Sequence, residues 1–297
     1  MLPMHQPPKA KVFVEGRYRK LTRDLPQTVF FCPECKGHPR RRKGCKRCEG
    51  FGKLCRDSVQ ELIGWAAQRH FGTRKNKFHG AGREDVDVRM LGDGRPFVME
   101  LLGPKQFDVD LVALETEINR RNEGRLEVLG LHWTESTRVR VVKETPHAKE
   151  YEALVSSEGT IAPEAIRKLL GERMRIAQQT PERVAHRRAI LERERWIEFL
   201  AVEPAPDAEA EARERGFAGD AAGHLWRVRL LTQHGTYVKE VLSGQGGITK
   251  PSFPDLVFTP CRCLALDVTA ILGPEGEAAP IPTRPLGFGA GVATSRV

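Results

Sequence analysis

The chain has 297 residues, with 48 Lys and Arg against 39 Asp and Glu, a formal charge of +9. At about 150 residues per domain this length allows roughly two domains, and 40% hydrophobic with 29% charged residues is the balance of a folded protein. No apolar run reaches the ~18 residues of a membrane span, the N-terminus lacks the regions of a signal peptide, and seven cysteines, four in one cluster, suit a reducing, cytoplasmic setting. Membrane, secreted disulfide-rich and fibrous classes are excluded, and the positive charge suits a polyanionic partner.

Residues 1–10 read as a flexible Pro-rich tail and 11–31 as an N-terminal hairpin turning at Gly16. A Cys-rich loop fills 32–55, a main domain 56–272, and a second flexible tail 273–297. Ser58 with Glu61 three residues later is a capping-box pattern, and Leu62, Ile63, Trp65 and Ala66 supply the apolar stripe of the helix it opens. Asp85 to Met90 alternates with period two and predicts a strand. A turn at Gly92-Asp93-Gly94-Arg95-Pro96 and a second strand at Phe97–Leu102 follow. Leu111, Leu114, Glu115 and Ile118 predict a helix over 108–122. Strands are expected at 126–133, 138–143 and 150–155, then a helix at 163–170 opened by Pro163. Ile197–Val202 and Leu225–Leu231 look like central strands, separated by a surface insertion at 204–223. A helix near Thr236 and a strand at 262–269 complete the order. Strands and helices mixed along one chain, with no internal repeat, predict an α+β fold.

Cys32-x-x-Cys35 and Cys45-x-x-Cys48 are separated by nine residues. Two such knuckles offer four thiolates to one tetrahedral zinc ion and close it to water, which makes the site structural. A redox pair would instead want a single CxxC at a helix start. Gly37, Gly44, Gly50 and Gly52 suit the turns. Lys36, Arg40, Arg41, Arg42, Lys43, Lys46 and Arg47 crowd the same loop, either offsetting the thiolate charge or meeting RNA phosphates. Cys55, Cys261 and Cys263 are left for core packing.

The run His79-Gly80-Ala81-Gly82-Arg83-Glu84-Asp85-Val86-Asp87-Val88-Arg89-Met90 is the most informative stretch. With Gly94-Arg95-Pro96-Phe97 it resembles the archaeal and eukaryotic tRNA pseudouridine synthases of the "ten" family, which act on the TΨC arm. Further stations resemble the same family: Gly16-Arg17-Tyr18-Arg19-Lys20-Leu21 with Pro26-Gln27-Thr28, Ser58 to Ile63, Lys149-Glu150-Tyr151, Gln179-Thr180-Pro181 with Arg183 and His186-Arg187-Arg188, His234 to Glu240, and Leu264-x-Leu266-Asp267-Val268. Together they span about residues 11–270. The resemblance implies a pseudouridine synthase core, a mostly antiparallel mixed sheet flanked by helices with a central cleft. It also implies a large THUMP-containing accessory domain ahead of the matched span, where about ten residues stand, so a separate RNA-binding partner is an expectation.

Pseudouridine formation breaks the N1–C1′ bond of uridine, turns the base and rejoins it through C5, with no cofactor needed for catalysis and no nucleotide cofactor. It needs an ionised carboxylate at the sugar, and the resemblance makes Asp85 that group. On a strand Glu84 would point to the other face. The resemblance makes Lys239 the cation that keeps the carboxylate charged, although the residue alone reads as an exposed helix lysine. It makes Tyr151 the platform for the extruded base, where a core tyrosine is the plainer reading. Arg83 is expected to displace the base or meet phosphate, and Leu266, with Leu264 competing, to floor the pocket. Arg183, Arg187 and Arg188 are further expected phosphate contacts. The partner is then transfer RNA. Two rivals are a catalytically inactive RNA-binding protein of this fold and a nuclease holding metal on Glu84, Asp85 and Asp87, which adjacent residues diverging on a strand disfavour.

Overall fold

The computed structural model describes residues 10–185, 189–219 and 224–274. Apart from Ala10 and residues 273–274, the expected tails lie outside these, as do His186, Arg187, Arg188 and residues 220–223. The chain divides into two compact units, one ending at Thr145 and one beginning at Pro146. That boundary falls within the stretch 56–272 expected as one domain.

The first unit runs β1 (Lys11–Lys20), α1 (Pro39–Arg42), α2 (Val59–His70), β2 (Lys75–Gly80), β3 (Arg89–Leu102), α3 (Leu111–Arg121), β4 (Leu126–Thr134) and α4 (Ser136–Glu144). β1 lies between β3 and β4, antiparallel to both, and β2 pairs antiparallel with the second half of β3. In place of the expected hairpin at 11–31 there is one strand, Lys11–Lys20, followed by a loop. Gly16 is a close-approach residue rather than a turn, since a Cβ there would come within 2.8 Å of the Leu131 side chain. Tyr18, Phe78 and Phe97 form an aromatic core cluster, with the two phenylalanines stacked at 5.1 Å. Ser58 caps α2 as expected, its hydroxyl accepting the Glu61 N–H and donating to the Glu61 carboxylate. Val59, Leu62, Ile63, Ala66 and Ala67 are buried, but Trp65, placed on the apolar stripe, is 50% exposed.

Three sequence expectations fail here. Asp85 to Val88 is a loop, and β3 begins only at Arg89. The expected turn at 92–96 lies inside β3, where Gly92 and Gly94 take positive φ and the register with β1 skips between Tyr18 and Lys20. Only glycine fits at 94, because a Cβ would sit 2.7 Å from the Tyr18 carbonyl oxygen. The strand expected at 138–143 is helix α4. Val139 and Val142, three residues apart, face the Phe13, Ala81 and Val98 cluster, while Val141 stays 45% exposed.

The second unit runs β5 (His147–Ser157), α5 (Pro163–Leu169), β6 (Arg173–Gln179), α6 (Glu182–Ala185), β7 (Glu192–Pro204), α7 (Glu209–Glu214), β8 (Leu225–Thr232), α8 (Val238–Ser243), β9 (Thr249–Lys250), α9 (Phe253–Val257) and β10 (Cys261–Pro274). Its strands follow the order β10-β5-β8-β7-β6-β9, each pair antiparallel. Phe253 packs on Phe199 at 5.4 Å. The segment expected as a surface insertion carries α7 and buries Ala205, Ala208 and Ala212 against Leu154, Leu225 and Ala265. The fold is α+β, antiparallel sheet with helices packed on it.

Candidate functional site

The two cysteine arms repeat one local structure. Cys32-x-x-Cys35-Lys36-Gly37 and Cys45-x-x-Cys48-Glu49-Gly50 each end in two residues of positive φ. His38 N–H donates to the Cys35 carbonyl in one arm, and Phe51 N–H to the Cys48 carbonyl in the other. The four Sγ atoms lie within 4.8 Å of one another, with Cys32–Cys45 at 3.7 Å and Cys35–Cys48 at 3.6 Å. Thiolates held about 2.3 Å from a tetrahedral ion stand about 3.8 Å apart, so the set fits one ion. The sulfurs differ in their surroundings: the Cys35 N–H lowers the Cys32 pKa to about 7, burial and the neighbouring sulfurs raise Cys35 and push Cys45 up to about 12, and Gly52 N–H donates to Cys48 Sγ at 3.1 Å. These four residues can hold a metal ion. Arg40, Arg41 and Arg42, on α1 between the arms, are exposed, and Cys55, Cys261 and Cys263 are partly buried.

The Gly82-Arg83-Glu84-Asp85 loop is held from beneath by β1. Alternation along Arg17-Tyr18-Arg19-Lys20 sends two side chains to each face. Arg17 and Arg19 donate to the carbonyls of Asp93, Gly94 and Gly92 and so satisfy the bulge in β3. Tyr18 and Lys20, both fully buried, reach the loop. Tyr18 hydroxyl donates to Glu84 at 2.8 Å and accepts from Gln27, whose amide also donates to the Gly82 carbonyl. Glu84 pairs with Arg95 at 2.8 Å, both side chains 1% exposed, and Arg95 donates to the Ala81 carbonyl. Lys20 Nζ donates to the carbonyls of Asp85 and Val86. The result separates neighbours: Glu84 is buried and compensated, Asp85 half-buried, and Arg83 exposed. A metal site shared by Glu84, Asp85 and Asp87 is overturned, because both Glu84 oxygens already face Tyr18 and one meets Arg95.

In the second unit Tyr151 is half-buried on β5, in register with Val268 of β10 and Leu230 of β8. Leu266 is buried and faces Ala153, so Tyr151 and Leu266 are diagonal neighbours on one sheet face. Leu264 sits at a register shift and packs against the alanine cluster of the 204–219 segment. Lys239 stands in the first turn of α8, which packs on β10. Its surroundings are pinned: the buried Gln178 amide donates to the Tyr237 carbonyl and accepts the Tyr237 N–H. Arg183, expected on phosphate, instead grips the buried Glu240 carboxylate through two nitrogens.

The family described as "Pus10, C-terminal" matches residues 13–271. The chain belongs to this family. All four cysteines, Arg83, Asp85, Tyr151, Lys239 and Leu266 fall within the Pus10 C-terminal match. The protein is 41% identical over 270 residues to the tRNA pseudouridine synthase Pus10 of Methanopyrus kandleri, covering 90% of this chain and 57% of that one. It is 39% identical over 266 residues to the namesake of Korarchaeum cryptofilum, covering 89% and 66%. The chain thus spans less than two thirds of the length of these relatives. Among solved structures it resembles the archaeal box H/ACA sRNP Nop10-Cbf5 complex with a TM-score of 0.34 and 16% identity, covering 73% of this chain and 45% of that one. Sequence reasoning missed the supporting residues Tyr18, Lys20, Arg95 and Gln178. The signal for the first two was present, as alternating charge and aromatic residues on a strand beside a buried core.

Proposed function

We propose that this chain is the catalytic part of a tRNA pseudouridine synthase that isomerises uridine in the TΨC loop, with Asp85 as its reacting carboxylate. The observation that supports this best is the separation of two adjacent acids. Glu84 is locked into a buried ion pair, while Asp85 is left half-buried on a loop whose backbone is tied down. A reacting group held on a fixed backbone keeps its approach to the sugar. Ionised Asp85 either attacks C1′ or takes the C2′ proton, and the N1–C1′ bond breaks. The freed base turns, and C5 bonds to C1′ as the Asp85–C1′ ester breaks or, on the second route, as the proton returns from Asp85 to C2′; the C5 proton then leaves and N1 gains one, so no atom is gained or lost overall.

Tyr151 is the base platform in this reading, Leu266 the apolar floor, Lys239 the cation favouring an ionised carboxylate, and Arg83 a contact to the displaced base or to phosphate. The cysteine site holds one structural zinc, closed by four thiolates, and supplies no step of the reaction. The substrate is transfer RNA, gripped with help from a separate RNA-binding partner, and the setting is the cytoplasm. Among the described residues no helix is long and apolar enough to cross a membrane. The test is to map pseudouridine in unmodified transfer RNA with a carbodiimide that marks it, after incubation with the wild type and with Asp85→Asn. Pseudouridine with the first and none with the second is expected. Equal conversion by both overturns the assignment of Asp85, and no conversion by the wild type overturns the activity.

A further inference from the structure

Lys20 closes β1 with its side chain fully buried. Its Nζ donates to three carbonyl oxygens: Leu25 at 2.8 Å, Asp85 at 2.9 Å and Val86 at 2.9 Å. An ammonium has three donors and no acceptor, so these bonds saturate it with neutral oxygens. Burying a cation on neutral partners is costly, and what it gains here is a three-way tie between the chain after β1 and the loop carrying Asp85. We propose that Lys20 is a positioning residue for Asp85, holding the catalytic loop in reacting geometry only while its ammonium is protonated. This rests on the reading of Asp85 as the catalytic carboxylate.

Loss of the proton leaves two N–H groups and a lone pair facing three carbonyl oxygens. One bond becomes a repulsion, and the loop is no longer tied at all three points. Burial, opposed by the charges of Glu84, Asp87 and Asp85 and aided by Arg95, lowers the Lys20 pKa from 10.5 to about 8. The Cys55 thiol, raised by burial and by the carboxylates of Asp24 and Asp57, also feels this charge, which acts to lower it. Two consequences of opposite sign follow. Conversion of bound RNA falls as pH rises through about 8. Lys20's contribution to stability rises between about 8 and 10.5, because the unfolded chain holds the proton longer than the folded one.

The experiment is single-turnover conversion of transfer RNA by saturating enzyme from roughly pH 6 to 10, with melting temperature and RNA affinity measured alongside, for the wild type, Lys20→Met and Asp85→Asn. The wild type should lose rate near pH 8 without losing melting temperature. Lys20→Met should bind RNA as the wild type does, convert it about tenfold to hundredfold more slowly, and show no descending limb near pH 8. A variant as fast as the wild type with the same limb overturns the proposal. Should Lys20→Met fail to fold, the wild-type profile alone decides: a flat rate across pH 7 to 9.5, or a loss of rate that tracks melting, overturns it equally. Asp85→Asn separates the two readings. If it converts RNA normally, the catalytic assignment falls; if it is inactive while Lys20→Met is unaffected, only the role of Lys20 falls.

Discussion

Two neighbouring acids with different surroundings should give opposite phenotypes, and Glu84 is the sharper case. Its carboxylate meets Arg95 Nε at 2.8 Å with both side chains 1% exposed, and it accepts the Tyr18 hydroxyl. Glu84→Ala leaves a buried guanidinium without its anion, which costs about 3–5 kcal/mol. The orphaned Tyr18 hydroxyl pushes toward the upper end of that range. Against a typical total stability of about 5–15 kcal/mol, the first unit is left close to unfolding. Glu84→Gln keeps an acceptor for Tyr18 and should cost less. Glu84→Leu combined with Arg95→Met removes both charges and should recover most of the loss. The assay is urea denaturation at pH 7 of the wild type, Glu84→Ala, Glu84→Gln, and the cycle made by Glu84→Leu, Arg95→Met and their double variant, followed by the fluorescence of Trp65 and Trp133, with Trp196 and Trp226 reporting on the second unit. The pair's coupling energy, read from the cycle, should be at least about 2 kcal/mol. A Glu84→Ala protein within about 1 kcal/mol of the wild type would refute the reasoning.

Three further outcomes are expected. Elemental analysis of freshly purified protein should find one zinc per chain, and Cys35→Ser should lose it together with the cooperative unfolding of the 32–55 loop; a folded, metal-free wild type contradicts this. Replacing Arg40, Arg41 and Arg42 with Ala should flatten the slope of log affinity against log salt by about 0.7 to 0.9 for each phosphate no longer neutralised, and an unchanged slope assigns the loop to the metal alone. Tyr151→Ala should slow the conversion of bound RNA far more than Tyr151→Phe, since base stacking on a ring is worth about 1–3 kcal/mol, and equal single-turnover rates for Ala and wild type would make Tyr151 a packing residue.

Local chemistry makes much of this fold legible from the residues alone. The Ser58 cap, the 111–121 helix and the paired knuckles follow from residues that interact within a few positions of one another. Where sequence reading fails, distant partners have taken over. Asp85 to Val88 alternates like a strand, yet the carbonyls of Asp85 and Val86 are bound by an ammonium 65 and 66 residues upstream rather than by a neighbouring strand. Arg138 to Lys143 also alternates, but Val139 and Val142 find an apolar cluster at helical spacing. Gly16, Gly92 and Gly94 look like turn formers in the sequence. They are places where another segment or a bulge needs the space of a side chain. At the candidate site the motif points to Asp85, but its distinction from Glu84 becomes physical only through Tyr18 and Arg95.

The four residues Arg17 to Lys20 give β1 a register that is checked by charge. A slip of one position would turn the two guanidinium groups toward Glu84 and the carbonyls of the loop, and swing Tyr18 and Lys20 out to the bulge. Glu84 would lose its phenol partner, and the bulge carbonyls would lose theirs. Greasy alternation alone penalises such a slip by exposed methyl groups; here the penalty is a set of mismatched buried polar groups, which is steeper. The strand therefore cannot dock out of step and still shelter the loop, so anchoring of the Glu84–Asp85 loop and proofreading of the sheet are one folding event.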